Sequence, residues 1–232
     1  MNKQDKLLIG IFIIGLIGMG AFIYDIFLSG PDLSQGERSV LVLAVDKGEQ
    51  PGIGGVDMAF IVELKDGSIK KYTPVYPGGM AHPTQPAPGP LTGKMLLHDS
   101  LWGDNTIQGM EYAREIVEAN TGMKADAVVV VTDEGLNAVI DSIRPFKVDG
   151  VVSNLDATSI VRENDNLYGN GMSRGDAVMV LVRALSKAAT NPDKRNTMIQ
   201  VALDEYSKGN IVMNPEGAFM SLLATKGFES VT

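Results

Sequence analysis

Val40-Leu41-Val42-Leu43-Ala44-Val45-Asp46 is a continuous β-branched and aliphatic run closed by a carboxylate. It is too short for a buried helix and apolar on both faces, the pattern of a central strand covered by other layers on each side. Working outward, Met58 to Leu64 predicts a second strand, and Lys65-Asp66-Gly67-Ser68 supplies the Asp-Gly signal of a hairpin turn. Ile69 to Val75 returns with more polar residues and is expected nearer a sheet edge. Pro77 to Pro90 holds five prolines and three glycines, which predicts a long irregular loop, a feature often used as a lid.

Helical signals dominate the second half. Asn105 to Asn120 reads as a helix capped by Asp104 or Asn105, with Gly122 just past its end. Ala127 to Val131 is another apolar strand, and Asp133 to Ile143 a helix stopped by Pro145. Phe146 to Val152 adds a short strand. Ser173 with Asp176 makes a capping box for a helix reaching Ala189. Asn191-Pro192 opens a helix to about Lys208, and Asn214-Pro215 a last one closed by Gly227. Strands mixed with helices, a hairpin and no strict βαβ repeat predict an α/β or α+β fold with a mixed central β-sheet flanked by helices.

Ahead of this domain, the apolar run from Leu7 to Leu28 follows Lys3 and Lys6. As a helix it extends about 33 Å, enough to cross the hydrocarbon core of a bilayer. The run is longer than the apolar core of a cleaved secretory signal and no A-x-A-like site follows it, which favours an uncleaved signal anchor. Lysines before the run and Asp25, Asp32 and Glu37 at or after its end place the N-terminus in the cytoplasm and the domain outside the cell. The expected organisation is a cytoplasmic tail over 1–6, a transmembrane helix over 7–28, a linker over 29–38 and an extracytoplasmic domain over 39–232. Ser29 to Glu37, with Gly30, Pro31, Ser34 and Gly36, reads as a spacer with little to bury.

The chain carries a net charge of −8, and Lys3 and Lys6 are offset by Asp5 and Asp25, so the exterior part keeps all of it. Nucleic acid and anionic lipid surfaces are disfavoured as partners by bulk charge. Cysteine is absent, which excludes disulfides, thiolate metal sites and cysteine catalysis.

Two constellations carry candidate chemistry. Asp46 ends the first strand and Asp57 opens the second, across a glycine-rich turn. If these strands pair as antiparallel neighbours, both carboxylates reach one end of the sheet, where they suit a shared Mg²⁺. They suit equally well a turn in which each satisfies local backbone groups. The second constellation is basic: Arg183 follows the apolar stretch Ala177 to Val182 and is expected buried on the face of Met179 and Val180. Asp193 and Arg195 stand in the first turn of the next helix, so two guanidinium groups and a helix N-terminus are candidates for one anion site. A pairing of Arg183 with Asp176 or Asp193, and a solvated Arg195, are the alternatives. His98-Asp99-Ser100 contains triad residue types, but adjacent side chains cannot align as nucleophile, base and orienter. His82 and His98 are the only histidines and make no zinc centre. Trp102, the sole tryptophan, suits either sugar stacking or the core.

These residues, taken in order, resemble the LytR-CpsA-Psr domain: the strand ending in Asp46, Asp57 before an apolar strand, the hairpin, His98-Asp99-Ser100-Leu101-Trp102-Gly103 ahead of Glu111 to Gly122, Ala127 to Ile143, Ala177 to Arg183, and Asp193-Lys194-Arg195. The order of elements matches over most of 39–210. The resemblance implies a single-pass protein of the cell envelope that transfers a glycopolymer from a polyprenyl-pyrophosphate carrier to the cell wall. It also implies Mg²⁺ at the positions of Asp46 and Asp57, with Arg183 and Arg195 on the pyrophosphate. Two departures matter. Val56 stands where the family usually has an arginine, and Pro77-Gly78-Gly79 where it has an Arg-Asp pair. Gly54, Gly55, Gly78 and Gly79 offer backbone amides as a partial replacement, or serve only as turn residues. A non-catalytic envelope binding or scaffolding module of the same fold is the second reading.

Overall fold

A computed structural model of the chain describes residues 30–75, 78–148, 151–153, 174–218 and 220–222. The apolar run Leu7–Leu28, the Ser173 cap and the Gly227 stop lie outside the described residues. Among the described residues no helix is long and apolar enough to cross a membrane.

The central sheet has five strands, in the spatial order β3 (Ser68–Val75), β2 (Gly55–Lys65), β1 (Glu37–Asp46), β6 (Ala127–Thr132) and β9 (Ile211–Asn214). Strand β1 (Glu37–Asp46) lies antiparallel to β2 (Gly55–Lys65) and parallel to β6 (Ala127–Thr132). The hairpin joining β2 to β3 (Ser68–Val75) turns at Asp66 and Gly67, with φ of 49° and 70°. Positive φ at both central residues is the primed turn whose twist matches the flanking strands. As expected of an edge strand, β3 is exposed along its first half.

One face of the sheet presents Leu41, Leu43, Ile61, Val128 and Val130 to helix α1 (Thr106–Thr121), whose Met110, Ala113, Ile116 and Val117 are fully buried. Asn105 caps α1, its side chain accepting from the Gln108 N–H at 3.1 Å, and Gly122 closes it at φ 74°. The opposite face is covered by α2 (Asp133–Ser142), α3 (Arg174–Ala189) and α4 (Pro192–Ser207). There Met58 and Phe60 meet Ile140, Ile143 and Leu181, while Val40, Leu64, Val129, Ile211 and Met213 enclose Leu33. The result is a mixed sheet sandwiched between helices, the fold class expected. The methionines at 95, 110 and 213 are core residues, also as expected.

Several expectations are corrected. The proline-rich segment is not wholly irregular: β4 (Ala81–Pro86) pairs with β5 (Lys94–Leu96). Pairing holds only at Ala81 with Leu96 and Pro86 with Lys94, so the prolines need no ladder donor. The amides between them are satisfied by a side chain: His82 Nδ1 accepts from the Thr84 and Gln85 N–H groups at 3.1 and 2.9 Å. Its proton is thereby on Nε2, which donates to Glu115 of α1 at 2.7 Å. A buried histidine thus does the work of a missing backbone ladder. In place of the one strand expected over 146–152, two short strands, β7 (Phe146–Val148) and β8 (Val151–Ser153), pair antiparallel. Strand β9 (Ile211–Asn214) was not foreseen; it pairs antiparallel with β6 and completes the sheet. Its four residues directly follow a helix and precede Pro215, so they read as a connection.

The stretch expected as a spacer is part of the fold. Leu33 is fully buried. Asp32 Oδ1 accepts from the Ser34 N–H and hydroxyl at 2.9 and 2.6 Å, and Arg38 Nε donates to the Asp32 carbonyl at 3.1 Å. A Cβ on Gly30 would stand 2.7 Å from Pro215. The Leu33→Ala substitution is therefore expected to lower unfolding free energy by about 2–5 kcal/mol, measured by denaturant titration of the purified protein. A true spacer residue would show no change.

Candidate functional site at the carboxyl end of the central strands

The parallel pair β1 and β6 ends at one edge of the sheet, and crevices outside such carboxyl ends are where open α/β sheets place ligands. Asp46 closes β1 there, opposite Gly55 of β2. The register then slips: Val45 faces Val56 and Ala44 faces Met58, so Asp57 is the extra residue of a β-bulge. Strict alternation would put Val56 on the face of Met58. The slip sends it instead into the cluster of Ala59 and Ile61, where it is 1% exposed. Both predicted acids thus stand at one end of one strand pair.

Their local bonds differ. Asp46 Oδ1 accepts from the Gly48 N–H at 2.7 Å, the turn role weighed as the alternative, which leaves its other oxygen uninvolved in that bond. Asp57 is half-buried and has partners of its own. The glycines of the turn have packing reasons: a Cβ on Gly54 would lie 2.4 Å from the Asp46 carbonyl, and one on Gly55 2.6 Å from the His98 ring. Both are buried, and Gly55 is the first residue of β2. Gly78 and Gly79 have open space around them.

Neighbouring elements bring further polar groups that the sequence reading missed. Val45 pairs with Thr132, so Asp133, next after Thr132, occupies the register position beside Asp46. Among the described residues Asp133 Oδ1 is buried without a hydrogen-bond partner. Lys47 Nζ reaches Glu134 at 2.5 Å and Asn210 Oδ1 at 2.7 Å. Asn210 donates in turn to Glu205 Oε2 at 2.7 Å, and Lys208 holds Glu205 Oε1 at 2.8 Å. Lys208 and Asn210 hold the 5%-exposed Glu205 carboxyl below the usual carboxylate range, in that order of effect and against its burial. On the other side of Asp57, His98 Nδ1 stands 3.2 Å from the Val56 carbonyl and 3.9 Å from Glu49 Oε2. The edge is lined by carboxylates with Lys47 as the cation nearest Asp46 in the chain. Among the described residues no three such side chains close into a metal-holding cluster. Two carboxylates nevertheless fit Mg²⁺, which takes one or two protein carboxylates and fills its octahedron with water and phosphate oxygens.

The predicted arginines are placed otherwise than expected. Leu181, Ala184, Leu185 and Ala188 make the inward stripe of α3, at the spacing of one helical face, and Arg183 falls opposite, exposed. The expected burial of Arg183 is thereby corrected, although its helix covers Met58, the neighbour of Asp57. Helices α2 and α4 run antiparallel: Lys194 Nζ donates to the Ile143 carbonyl at 2.8 Å, while a Cβ on Gly135 would touch the Asn210 carbonyl. Arg195, beside Lys194, is half-buried with Nε unpartnered among the described residues, and Asp193 is exposed. Both therefore stand at the end of α2 remote from Asp46 and are not brought to it. The dismissed triad stays dismissed: Ser100 is buried and its hydroxyl bonds the Leu97 carbonyl at 2.8 Å. Trp102 bridges Gly52 and lies against Gly89, tying the proline-rich segment to the β1–β2 turn.

Comparison with known proteins follows the same lines. The family described as "Protein of unknown function (DUF4012)" matches residues 35–166. No curated protein matches the chain. Among solved structures, protein gbs0355 from Streptococcus agalactiae superposes with a TM-score of 0.53 at 14% identity, covering 82% of this chain and 75% of that one. TagV of B. subtilis gives 0.51 at 18%, covering 85% and 82%. The LytR-CPS2A-psr family protein YwtF (TagT), with bound octaprenyl pyrophosphate lipid, gives 0.46 at 18%, covering 78% and 75%. The fold is LytR-CpsA-Psr-like, as the resemblance implied.

Because the Glu205 carboxyl is depressed in the folded state, its contribution is present above the ordinary carboxylate range and is lost as pH falls through its lowered value. Glu205→Ala leaves Asn210 and Lys208 without their acceptor and is expected to cost about 1–3 kcal/mol. Urea titrations at pH 7 and pH 3 check both points: the gap between wild type and variant closes at the acid end.

Proposed function

This chain belongs to the DUF4012 family, and we propose that it is a membrane-anchored protein of the cell envelope whose extracytoplasmic domain handles a polyprenyl-pyrophosphate-linked glycan. In this reading Leu7–Leu28 is the anchor, the domain lies outside the cell, and Asp46 and Asp57 hold Mg²⁺ against the diphosphate. The observation that carries it is the β1–β2 register, which sets Asp46 opposite Gly55 and Asp57 in the bulge two residues on. The LytR-CpsA-Psr-like fold supports the same reading.

Bound Mg²⁺ would supply charge neutralisation on the diphosphate oxygens. The chain's own part is positional: the Gly48 N–H fixes Asp46, the bulge releases Asp57 from strict alternation, and Lys47, braced by Glu134 and Asn210, adds a cation at the mouth. Arg183, exposed on the helix over Met58, is the remaining arginine candidate for the diphosphate, and Arg195, which lies away from the acids, takes no part. In the transferase form, an acceptor hydroxyl attacks the phosphorus attached to the glycan. That P–O bond forms, the bond to the bridging oxygen breaks, polyprenyl phosphate leaves, and the hydroxyl proton passes to solvent base.

A second reading, a non-catalytic binding domain, is favoured by specific placements. Val56 is a core residue, so no guanidinium can occupy that position, and Arg195 lies away from the acids. Loss of one transition-state arginine can cost about 10³-fold in rate.

Titrating a short-chain polyprenyl pyrophosphate into the full-length detergent-solubilised protein separates these forms. Mg²⁺-dependent binding is expected, weakened about tenfold or more by Asp46→Ala or Asp57→Ala, and weakened by Arg183→Ala. Release of polyprenyl phosphate in the presence of an acceptor glycan would identify the transferase, and binding without release the silent form. Binding that ignores both Mg²⁺ and the aspartate substitutions would refute the site.

A further inference from the structure

His98 stands at the carboxylate edge with no role in the chemistry above, and its contacts fix both its place and its tautomer. The Val56 N–H donates to the His98 carbonyl at 3.1 Å, and His98 Nδ1 lies 3.2 Å from the Val56 carbonyl. A carbonyl oxygen only accepts, so Nδ1 carries the ring proton and the neutral imidazole keeps its lone pair on Nε2. The ring is thereby held at the residue next to Asp57. Its other edge lies on the strand: a Cβ on Gly55 would stand 2.6 Å from Cε1 and 3.1 Å from Nε2. Any side chain at position 55 would take the place of the ring, so the bare Gly55 is what admits it. Gly55 is directly opposite Asp46, and opposite residues of an antiparallel pair send their side chains to the same face. Cβ positions so paired are about 5 Å apart, which puts the basic nitrogen within about 9 Å of the Asp46 Cβ, over the same end of the sheet. Glu49 Oε2 approaches the same spot, 3.9 Å from Nδ1, and the imidazole is 43% exposed, open to an incoming group.

We propose that His98 is the general base of the transferase form: Nε2 takes the proton of the acceptor hydroxyl as its oxygen attacks the phosphorus attached to the glycan. The new P–O bond forms, the bond from that phosphorus to the bridging oxygen breaks, and polyprenyl phosphate leaves with the electron pair. The proton rests on His98 as an imidazolium, with the Glu49 carboxylate 3.9 Å away to balance its charge, and passes from there to solvent. His98 acts without its neighbour Ser100, whose hydroxyl donates to the Leu97 carbonyl. An acceptor that arrives as a neutral sugar hydroxyl needs such a group, whereas a phosphate or carboxylate oxygen arrives without its proton. The base therefore fits a glycan hydroxyl as the acceptor. A positioned base of this kind contributes about 10²- to 10⁴-fold to a rate.

This inference rests on the transferase form of the proposed function. The full-length detergent-solubilised protein is given Mg²⁺, a short-chain polyprenyl pyrophosphate carrying a saccharide, and an acceptor glycan, and both donor binding and release of polyprenyl phosphate are measured. In His98→Asn, whose amide can still donate to the Val56 carbonyl, release is expected to fall about 10²-fold or more while donor binding stays within about twofold of wild type. In His98→Gly, added imidazole is expected to recover part of the lost rate, and in Asp57→Ala to recover none. Release from His98→Asn within about threefold of wild type would overturn the base. Loss of donor binding in step with the loss of release would also overturn it, since His98 would then be a structural residue, as would a His98→Gly rate indifferent to imidazole. Wild-type protein that binds the donor without releasing polyprenyl phosphate would overturn the base and leave the binding reading intact. Wild-type protein that binds no donor would overturn both.

Discussion

Parallel pairing of β1 with β6 is the constraint from which the architecture follows. Two parallel neighbours cannot be joined by a hairpin, so the chain between them must cross over, and here it lays down β2, β3, the β4–β5 ribbon and α1 on the way. Because β1 is hydrogen-bonded on both sides and packed on both faces, it offers only its two ends to anything else. At one end Asp46, Asp133 and the β1–β2 turn gather; at the other the chain enters through Leu33 and the Asp66 turn.

Much of this was legible because local signals agreed with the global fold. The aliphatic run at Val40, the Asp-Gly turn, Asn105 with Gly122, and Asn191-Pro192 each mark their elements, the run at Val40 missing only the first three residues of β1. What escaped the sequence depended on long-range partners. Nothing in Ile211-Val212-Met213-Asn214 says strand until β6 lies beside it. The prolines of 77–90 argue against a ladder, and only the imidazole of His82, donated from within the segment, lets a partial one form. Leu33 looked like a lone apolar residue in a polar spacer because the pocket that receives it is built from Val40, Leu64 and Met213, far away in sequence.

The site was legible in half. Two acids at strand ends across a glycine-rich turn lead directly to a shared sheet edge, since antiparallel pairing brings the end of one strand to the start of the next. The bulge at Asp57 and the orphaned Asp133 oxygen needed the register of three strands. The orientation of Arg183 is not legible locally, because Ala177 to Val182 is apolar on every side and the run itself does not say which flank turns inward. The answer comes from the next turn, where Leu185 and Ala188 continue the line of Leu181. The polar chain Lys47, Asn210, Glu205 and Lys208 joins residues far apart in sequence beside Asp46, so no local signal announces it.

The clasp formed by Gly30, Leu33 and the Asp66 turn has a mechanical meaning for an anchored protein. Tension applied to the chain ahead of Gly30 passes into β1 along its own axis, and the ladders to β2 and β6 are then loaded in shear, many bonds sharing the force, instead of peeling open one by one. A domain entered through a slack leash would yield at the leash; this one bears the load on its stiffest element.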